Sequence, residues 1–381
     1  MTDNLIVNKC DGIEPFESMY KLNLGLSLDE YETYEAMHNI LNIHDKEKRS
    51  VLMTMLLNGI MIKNPTISEV RGLLKASLEL DNMLTRKKYK IKLPKNNILI
   101  GLCGSGKKGI KTINISTPAA IIAATNGAYI VKACSSSTSS KTGSSDFLSL
   151  LGIDINLNMK KKEVILKKFG IMFCSIEKTT PNFAKLYEGI FYAPHAMSFA
   201  LAALSIPVET DTIAYGLSHP NIKLSVDVLK SFGINNAFIY SSTEDGIHYL
   251  DELGISGYAN VIGIQNGVIG RQIMTPIKEE FNLNTTYTNK KITEGLSKID
   301  NIKKSILALK GEGDKAIIDV ICINSAILLC LAKKSTSLRD AYNIAFQSIM
   351  SGRVYSRFIE IVEGYGGSRT HIEDILGGKY D

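Results

Sequence analysis

No two cysteines of this chain are spaced to act together. The six, at positions 10, 103, 134, 174, 322 and 330, form no CxxC pair and no metal-ligand spacing, which excludes a cysteine-based zinc or redox motif. No signal peptide is evident in the polar start Met1-Thr2-Asp3-Asn4, so the thiols are expected to be reduced and the protein cytoplasmic. No apolar run is long enough for a bilayer. The longest, Ala316 to Ala332, carries Asp319 and Asn324 and reads as a buried helix, so no membrane partner is expected. No arginine occurs between Arg86 and Arg271, so that stretch has no planar guanidinium fork with which to grip a carboxylate. Internal repeats and low-complexity tracts are absent as well.

What remains is a composition suited to packed cores. The 381 residues are 45% hydrophobic and 22% charged, and the length favours two packed units. The formal net charge of +6 inclines the surface towards anionic ligands.

Residues 1–20 show no clear period and read as an extension. Ser27-Leu28-Asp29-Glu30 has the form of a capping box before Tyr31, Tyr34, Met37 and Ile40-Leu41. A second helix is expected over about 45–59. Thr66-Ile67-Ser68-Glu69 caps a third, with Val70, Leu73, Leu74, Leu78 and Leu84 on one face. From residue 98 short apolar runs alternate with helical segments. Strands are expected over 98–100, 128–131, 170–175, 212–215, 237–240 and 260–264. Helices are expected over 118–126, 147–151, 195–205 and 222–232. The last hundred residues read as four helices, over 291–311, 314–333, 337–350 and 352–363. The tail from Gly364 is expected to be loose. The fold class is therefore α/β, with a small all-helical domain and a larger α/β domain around a mostly parallel sheet. The expected domains are 1–20 (extension), 21–95 (helical, with a segment near 181–205), 96–363 (α/β with a helical C-terminus) and 364–381 (tail).

The chemistry concentrates in 98–146. A short strand enters Gly104-Ser105-Gly106-Lys107-Lys108-Gly109. Asn114-Ile115-Ser116-Thr117-Pro118 follows, then a helix, then a strand ending at Lys132. After it come Ala133-Cys134-Ser135 and the hydroxyl-rich run through Ser139 and Ser140. Gly101 to Lys107 satisfies the GxxxxGK pattern of a nucleotide P-loop. The next residue is Lys108 where a magnesium-holding hydroxyl is required, and no helix starts there. The loops read better as a two-part phosphate cradle. Small residues and backbone N–H groups lie at Gly104, Ser105, Gly106 and Gly109, cations at Lys107, Lys108 and Lys132, and hydroxyls or amides at Asn114, Ser116, Thr117, Ser139 and Ser140. The plainer alternatives are a tight strand–loop turn for the glycines and a helix cap, before Pro118, for Thr117.

This spacing resembles anthranilate phosphoribosyltransferase and its relatives in the nucleoside phosphorylase/phosphoribosyltransferase (glycosyltransferase family 3) superfamily. The family pattern reads GTGGDG, TFNIST, KHGNR and a Ser-Ser-x-x-Gly-Ser-Ala-Asp run. Gly216-Leu217-Ser218-His219-Pro220 resembles its GPLxNP turn. The resemblance implies a phosphorylated sugar donor such as 5-phosphoribosyl 1-diphosphate (PRPP), a small aromatic or heterocyclic acceptor, Mg²⁺, a homodimer, and a ribosyl or phosphoribosyl transfer to nitrogen.

The departures qualify that implication. Lys107 and Lys108 replace the Gly-Asp of the family loop, and Ala133-Cys134-Ser135 replaces the His-Gly-Asn of the acceptor pocket, to which His195 is also assigned. In the frame of Gly246 and Gly254, His248 and Tyr249 occupy the family's metal-binding Asp-Glu positions. Asp251 and Glu252 can serve only if the register shifts, and they read as a solvated helix face. The metal ligands are thus read as lost, with Lys107 and Lys108 expected to supply the missing charge. Anthranilate is not the expected acceptor, for want of the arginine. His219 and His248, like His195, are polar groups expected near the cleft. The competing expectation is a non-catalytic relative that binds nucleic acid through a basic groove built from Arg86-Lys87-Lys88, Lys160-Lys161-Lys162, Lys167-Lys168, Arg353 and Arg357.

Overall fold

A computed structural model describes residues 15–94, 96–136, 143–187 and 191–379. Nine strands form one sheet among these residues. They are β1 (Leu99–Gly104), β2 (Tyr129–Cys134), β3 (Ile171–Ser175), β4 (Thr212–Gly216), β5 (Ala237–Thr243), β6 (Tyr249–Leu250), β7 (Tyr258–Gln265), β8 (Val268–Ile269) and β9 (Ile273–Pro276). The order is β3-β2-β1-β4-β5-β7-β8, with β6 on β5 and β9 on β7. Strands β1 to β5 are parallel. Strand β7 runs antiparallel to β5 and closes that edge with β8 and β9. The expected mostly parallel sheet is present; the short strands β6, β8 and β9 carry too few residues to show a period.

Both faces of the sheet are covered, which is why its strands read as continuous apolar runs. Side chains alternate between the faces. Ile100 and Leu102 of β1 join Ile130, Ile171 and Phe173 in a core shared with the helices Ser116–Thr125, Lys298–Lys310, Lys315–Leu331, Leu338–Met350 and Arg353–Gly364. Leu99 and Cys103 point the other way, with Val131, Met172 and Tyr215. They share a second core with the helices Glu30–Leu41, Lys46–Ile62, Ile67–Glu79 and Ile222–Ser231. Helix Lys315–Leu331 is buried along nearly its whole length, and its one carboxylate, Asp319, is held by Lys315 and the Tyr342 hydroxyl. Among the described residues no helix is long and apolar enough to cross a membrane.

Several boundaries correct the sequence reading. The first cap is one residue pair later: Asp29 and Glu32 form the capping box, because Ser27 lies outside the turn they close. Thr66 and Glu69 cap their helix as expected, but that helix stops at Glu79 and Leu84 is exposed beyond it. Residues 15–20 are not an extension, since helix Pro15–Asn23 buries Met19 and Leu22. The tail is not loose. Gly366 turns the chain at φ +94, Ser368 caps helix Arg369–Leu376, and Ile372 and Ile375 are buried. The glycines that suggested a loose end instead make a tight reversal: a Cβ on Gly367 would lie 2.5 Å from the Leu151 carbonyl oxygen.

Candidate functional site

The chain builds β1, β2 and β3 outward in one direction, then returns to the other side of β1 for β4 and β5. Ligand sites of open α/β sheets lie at the C-terminal ends of the strands at such a reversal. The loops after β1 and β4 meet there. The Ser105 amide donates to the Gly216 carbonyl oxygen at 2.9 Å, and the Ser218 amide donates to Ser105 Oγ at 3.0 Å. Ser218 Oγ donates to the Gly106 carbonyl oxygen at 2.5 Å. Ser218, in the turn after β4 whose sequence resembles the family's GPLxNP, thus orients the glycine-rich loop.

Part of that loop is spent on the protein itself. The Gly106 amide donates to Asp251 Oδ2 at 2.8 Å, and the Gly109 amide to the Tyr249 carbonyl oxygen at 2.9 Å. Gly109 therefore offers no free N–H, contrary to expectation. The Lys107 and Lys108 amides have no protein partner among the described residues. Lys107 sits at the apex with φ +56, a left-handed conformation that glycine adopts more readily.

Asp251 and Glu252 are not a solvated helix face. They follow β6, are 5% exposed each, and pack against the loop. Lys108 Nζ lies 2.8 Å from Glu252 Oε2 and 3.8 Å from Asp251 Oδ1, and donates to Thr112 Oγ1 at 2.7 Å. Burial and the adjacent Asp251 carboxylate push the Glu252 carboxyl well above the usual range, against the pull of Lys108. Burial works to lower the Lys108 ammonium, but Glu252 and Asp251 outweigh it and hold its pKa above the usual value. The expected register is also corrected. His248 is half-exposed on the turn before β6, with Nδ1 2.6 Å from Asp245 Oδ2, and Tyr249 lies in β6. That turn takes up the extra residues, so the acidic pair reaches the loop three positions later.

The pair is fixed from behind. Asn324, on the long buried helix, accepts from the Leu253 amide at 3.0 Å and donates to the Leu253 carbonyl oxygen at 2.8 Å. Ser242 Oγ donates to the Glu252 carbonyl oxygen at 2.7 Å and accepts from the Gly254 amide at 2.9 Å. An Asn324→Leu chain leaves both polar groups of Leu253 buried without partners. It is expected to lose about 3 kcal/mol in urea unfolding, at about 1–3 kcal/mol per orphaned group.

Two cavities open on this loop. The smaller, about 100 Å³, is polar. Gly104, Gly106, Lys107, Lys108, Lys111, Asn114, Ser116, Lys132, Ala133, Ser135, Asp251 and Glu252 are among its lining residues. The larger, about 290 Å³, is aromatic and apolar, with Phe183, Tyr187, His195, Leu201 and Tyr215 in its wall. Gly104, Gly106, Lys107, Ser135, Ser136 and Ile176 border both.

The other assigned residues fall as follows. Thr117 does not cap the helix but lies within it: the helix starts at Ser116 after Ile115, and Asn114 Oδ1, just before, accepts from the Thr117 amide at 3.2 Å. Thr117 Oγ1 is buried without a partner and lines neither cavity. Lys132 is buried, its ammonium donating to the Ala133 carbonyl oxygen at 3.1 Å. Cys134 corrects the expected acceptor pocket, because strand alternation turns it into the core on the opposite face. Burial pushes its thiol, like that of Cys103, up to about 12, so both are protonated and inert. Ser139 and Ser140 lie outside the described residues. His219 accepts from the Asn221 amide at 3.1 Å and lines neither cavity. His195 Nε2 pairs with the Tyr187 hydroxyl, and its Nδ1 is buried without a partner. Burial, then the nearby Lys107 charge, hold this imidazole well below its usual pKa and therefore neutral. Sequence reasoning missed Tyr187, Phe183 and Tyr215. Their types signal a core, and only the tertiary arrangement leaves a space beside them.

The residues do not fit a divalent cation. The ammonium of Lys108 already stands at the carboxylate pair, 2.8 Å from Glu252 Oε2 and 3.8 Å from Asp251 Oδ1. An ion coordinating Glu252 Oε2 would face that like charge at close range.

Residues 96–355 match the family model described as glycosyl transferase family, a/b domain. The anthranilate phosphoribosyltransferase of Buchnera aphidicola subsp. Schlechtendalia chinensis is 28% identical over 348 residues, covering 90% of this chain and 97% of that protein. The corresponding protein of Pelagibacter ubique (strain HTCC1062) is 32% identical over 275 residues, 69% of this chain and 77% of its own. In fold, the chain is similar to anthranilate phosphoribosyltransferase from Saccharomyces cerevisiae in complex with PRPP and Mg. The TM-score is 0.72 at 19% identity, covering 92% of this chain and 97% of that one.

Proposed function

This chain belongs to the glycosyltransferase family, as an anthranilate phosphoribosyltransferase-like member, and from that premise we propose that it transfers a phosphoribosyl group from a diphosphate donor such as PRPP to the nitrogen of a small neutral aromatic or heterocyclic acceptor. One observation carries the reading: a cation-rich polar cavity and an aromatic cavity share a wall that includes Gly104, Gly106 and Lys107. A donor with its diphosphate in the first presents its anomeric carbon towards an acceptor in the second. The nitrogen lone pair forms the new bond to that carbon as the carbon–oxygen bond breaks. Diphosphate leaves with the electron pair, and the acceptor proton passes to water. Lys107, Lys132 and the Lys107 and Lys108 amides stabilise the leaving group, so positioning and charge supply most of the rate.

The acceptor is proposed not to be anthranilate. Among the described residues no arginine lines the aromatic cavity, and His195 is held neutral by burial. A neutral ring fits such a wall, with His195 Nδ1 available for one hydrogen bond. A homodimer through the N-terminal helices belongs to the same proposal, since Tyr20, Leu24, Tyr31 and Val51 leave apolar surface exposed there.

The test is diphosphate release from PRPP in the presence of a panel of aromatic and heterocyclic amines. Release with a neutral amine and none with anthranilate supports the proposal; turnover of anthranilate alone refutes the acceptor assignment. Failure of PRPP and diphosphate to raise the melting temperature refutes the donor assignment. The nucleic-acid reading gains nothing from the fold. Lys162 is buried, Lys167 pairs with Glu163 and Arg357 with Glu360, and Arg353 donates to Asn126.

A further inference from the structure

We infer that Lys108 is a built-in counter-ion that replaces a divalent metal at Asp251 and Glu252, so that the donor is taken up as the metal-free polyanion. The inference rests on the donor assignment above, and narrows it to one ionic form of the substrate.

The geometry separates two lysines that are neighbours in sequence. Lys108 turns into the carboxylate pair, and its other contact is Thr112 Oγ1 at 2.7 Å. Lys107 turns towards the seam of the two cavities, with its ammonium 5.6 Å from the centre of the Tyr187 ring. Of the two, Lys107 has no carboxylate partner within ion-pair distance among the described residues, whereas Lys108 is occupied with the protein's own acids.

Charge balance points the same way. Two buried carboxylates without a cation would repel a phosphate from the adjoining cavity. A divalent ion would cancel that field and bridge the acids to the donor. A fixed ammonium 2.8 Å from Glu252 cancels much of it, with two of its three N–H groups already directed at Glu252 Oε2 and Thr112 Oγ1. The cavity must then hold the diphosphate through Lys107, Lys111, Lys132 and backbone amides alone. Metal-bound donor carries ions that meet the Lys108 ammonium, so excess Mg²⁺ competes with the protein for the donor.

The arrangement also implies a latent metal site. Asp251 Oδ1 is buried without a hydrogen-bond partner, and removal of the ammonium frees Glu252 Oε2 beside it. Lys108→Gln is therefore expected to gain divalent-ion affinity that the wild type lacks.

The experiment titrates the full chain with Mn²⁺, followed by its paramagnetic resonance, and with inorganic diphosphate by calorimetry, each with chelator and with excess Mg²⁺. Wild-type chain is expected to bind diphosphate equally with and without chelator, to lose about tenfold in apparent affinity in excess Mg²⁺, and to leave Mn²⁺ free in solution. Lys108→Gln is expected to bind Mn²⁺ at least about tenfold more tightly than wild type, and to need a divalent ion for diphosphate. Diphosphate binding by the wild type only with Mg²⁺, or tight Mn²⁺ binding by the wild type, would overturn the inference. If Lys108→Gln does not fold, the wild-type arms decide it alone. If diphosphate binds under no condition, the donor assignment fails, while the Mn²⁺ titrations still decide whether Lys108 fills a metal position.

Discussion

Gly216→Ala is expected to lose about 3 kcal/mol of stability and all measurable diphosphate binding, with a lowered urea midpoint at unchanged slope. Gly216 ends β4 where the chain passes beneath Asp251. A Cβ there would lie 1.7 Å from the Asp251 carbonyl oxygen, which is backbone and cannot rotate aside. Relief requires the 251–254 segment to lift. That segment is anchored by Asn324 and Ser242, and it carries both carboxylates that hold Lys108 and the Gly106 amide. Strain at one methyl therefore reaches the glycine-rich loop directly. Gly106→Ala is the control. Its φ of +65 is costly for alanine, yet a Cβ meets nothing within 4 Å. It is expected to cost only about 1–2 kcal/mol, through backbone conformation alone.

The second large effect is on binding, and it is pH-dependent. Burial, partly offset by Asp251, lowers the Lys107 ammonium to about 8. A bound diphosphate favours the charged form, so in the complex that pKa rises. Affinity is then highest while the free protein is already protonated, below about 8, and falls as pH rises through that value. Lys107→Met is expected to weaken diphosphate about 10- to 100-fold at neutral pH, as a lost charge-assisted contact of about 1.5–3 kcal/mol implies. The variant's affinity should then change little across the range where the wild type declines. Calorimetric titration of both proteins across that range checks the claim. A decline of equal steepness in the variant would assign the pH dependence to another group.

Local sequence carried much of the fold. Apolar runs of strand length, helical spacing between them, and the cap at Thr66 are short-range features, and a parallel sheet between helical layers follows from their alternation. The loops that line the polar cavity were legible for the same reason. Gly104 to Lys108, Asn114, Ser116 and Lys132 are close in sequence, and each sits at a strand end or helix start that the pattern itself announces. The acidic pair was legible only as an alternative that required a shifted register. Which carboxylates reach the loop depends on how many residues the turn before β6 absorbs, and a count along the chain cannot measure that. Tyr187, Phe183 and Tyr215 likewise read as core, because an aromatic beside a cavity and an aromatic in a packed interior have the same spacing.

The sequence by itself thus determined that a loop of small residues and cations would stand at the end of the first strand, because glycines and lysines directly after a short apolar run cannot continue it into the core. The tertiary structure alone decided what its two lysines face. Adjacent residues at the apex of a turn diverge: Lys108 is drawn by the field of Asp251 and Glu252, more than a hundred residues away, and Lys107 is left at the seam of the two cavities.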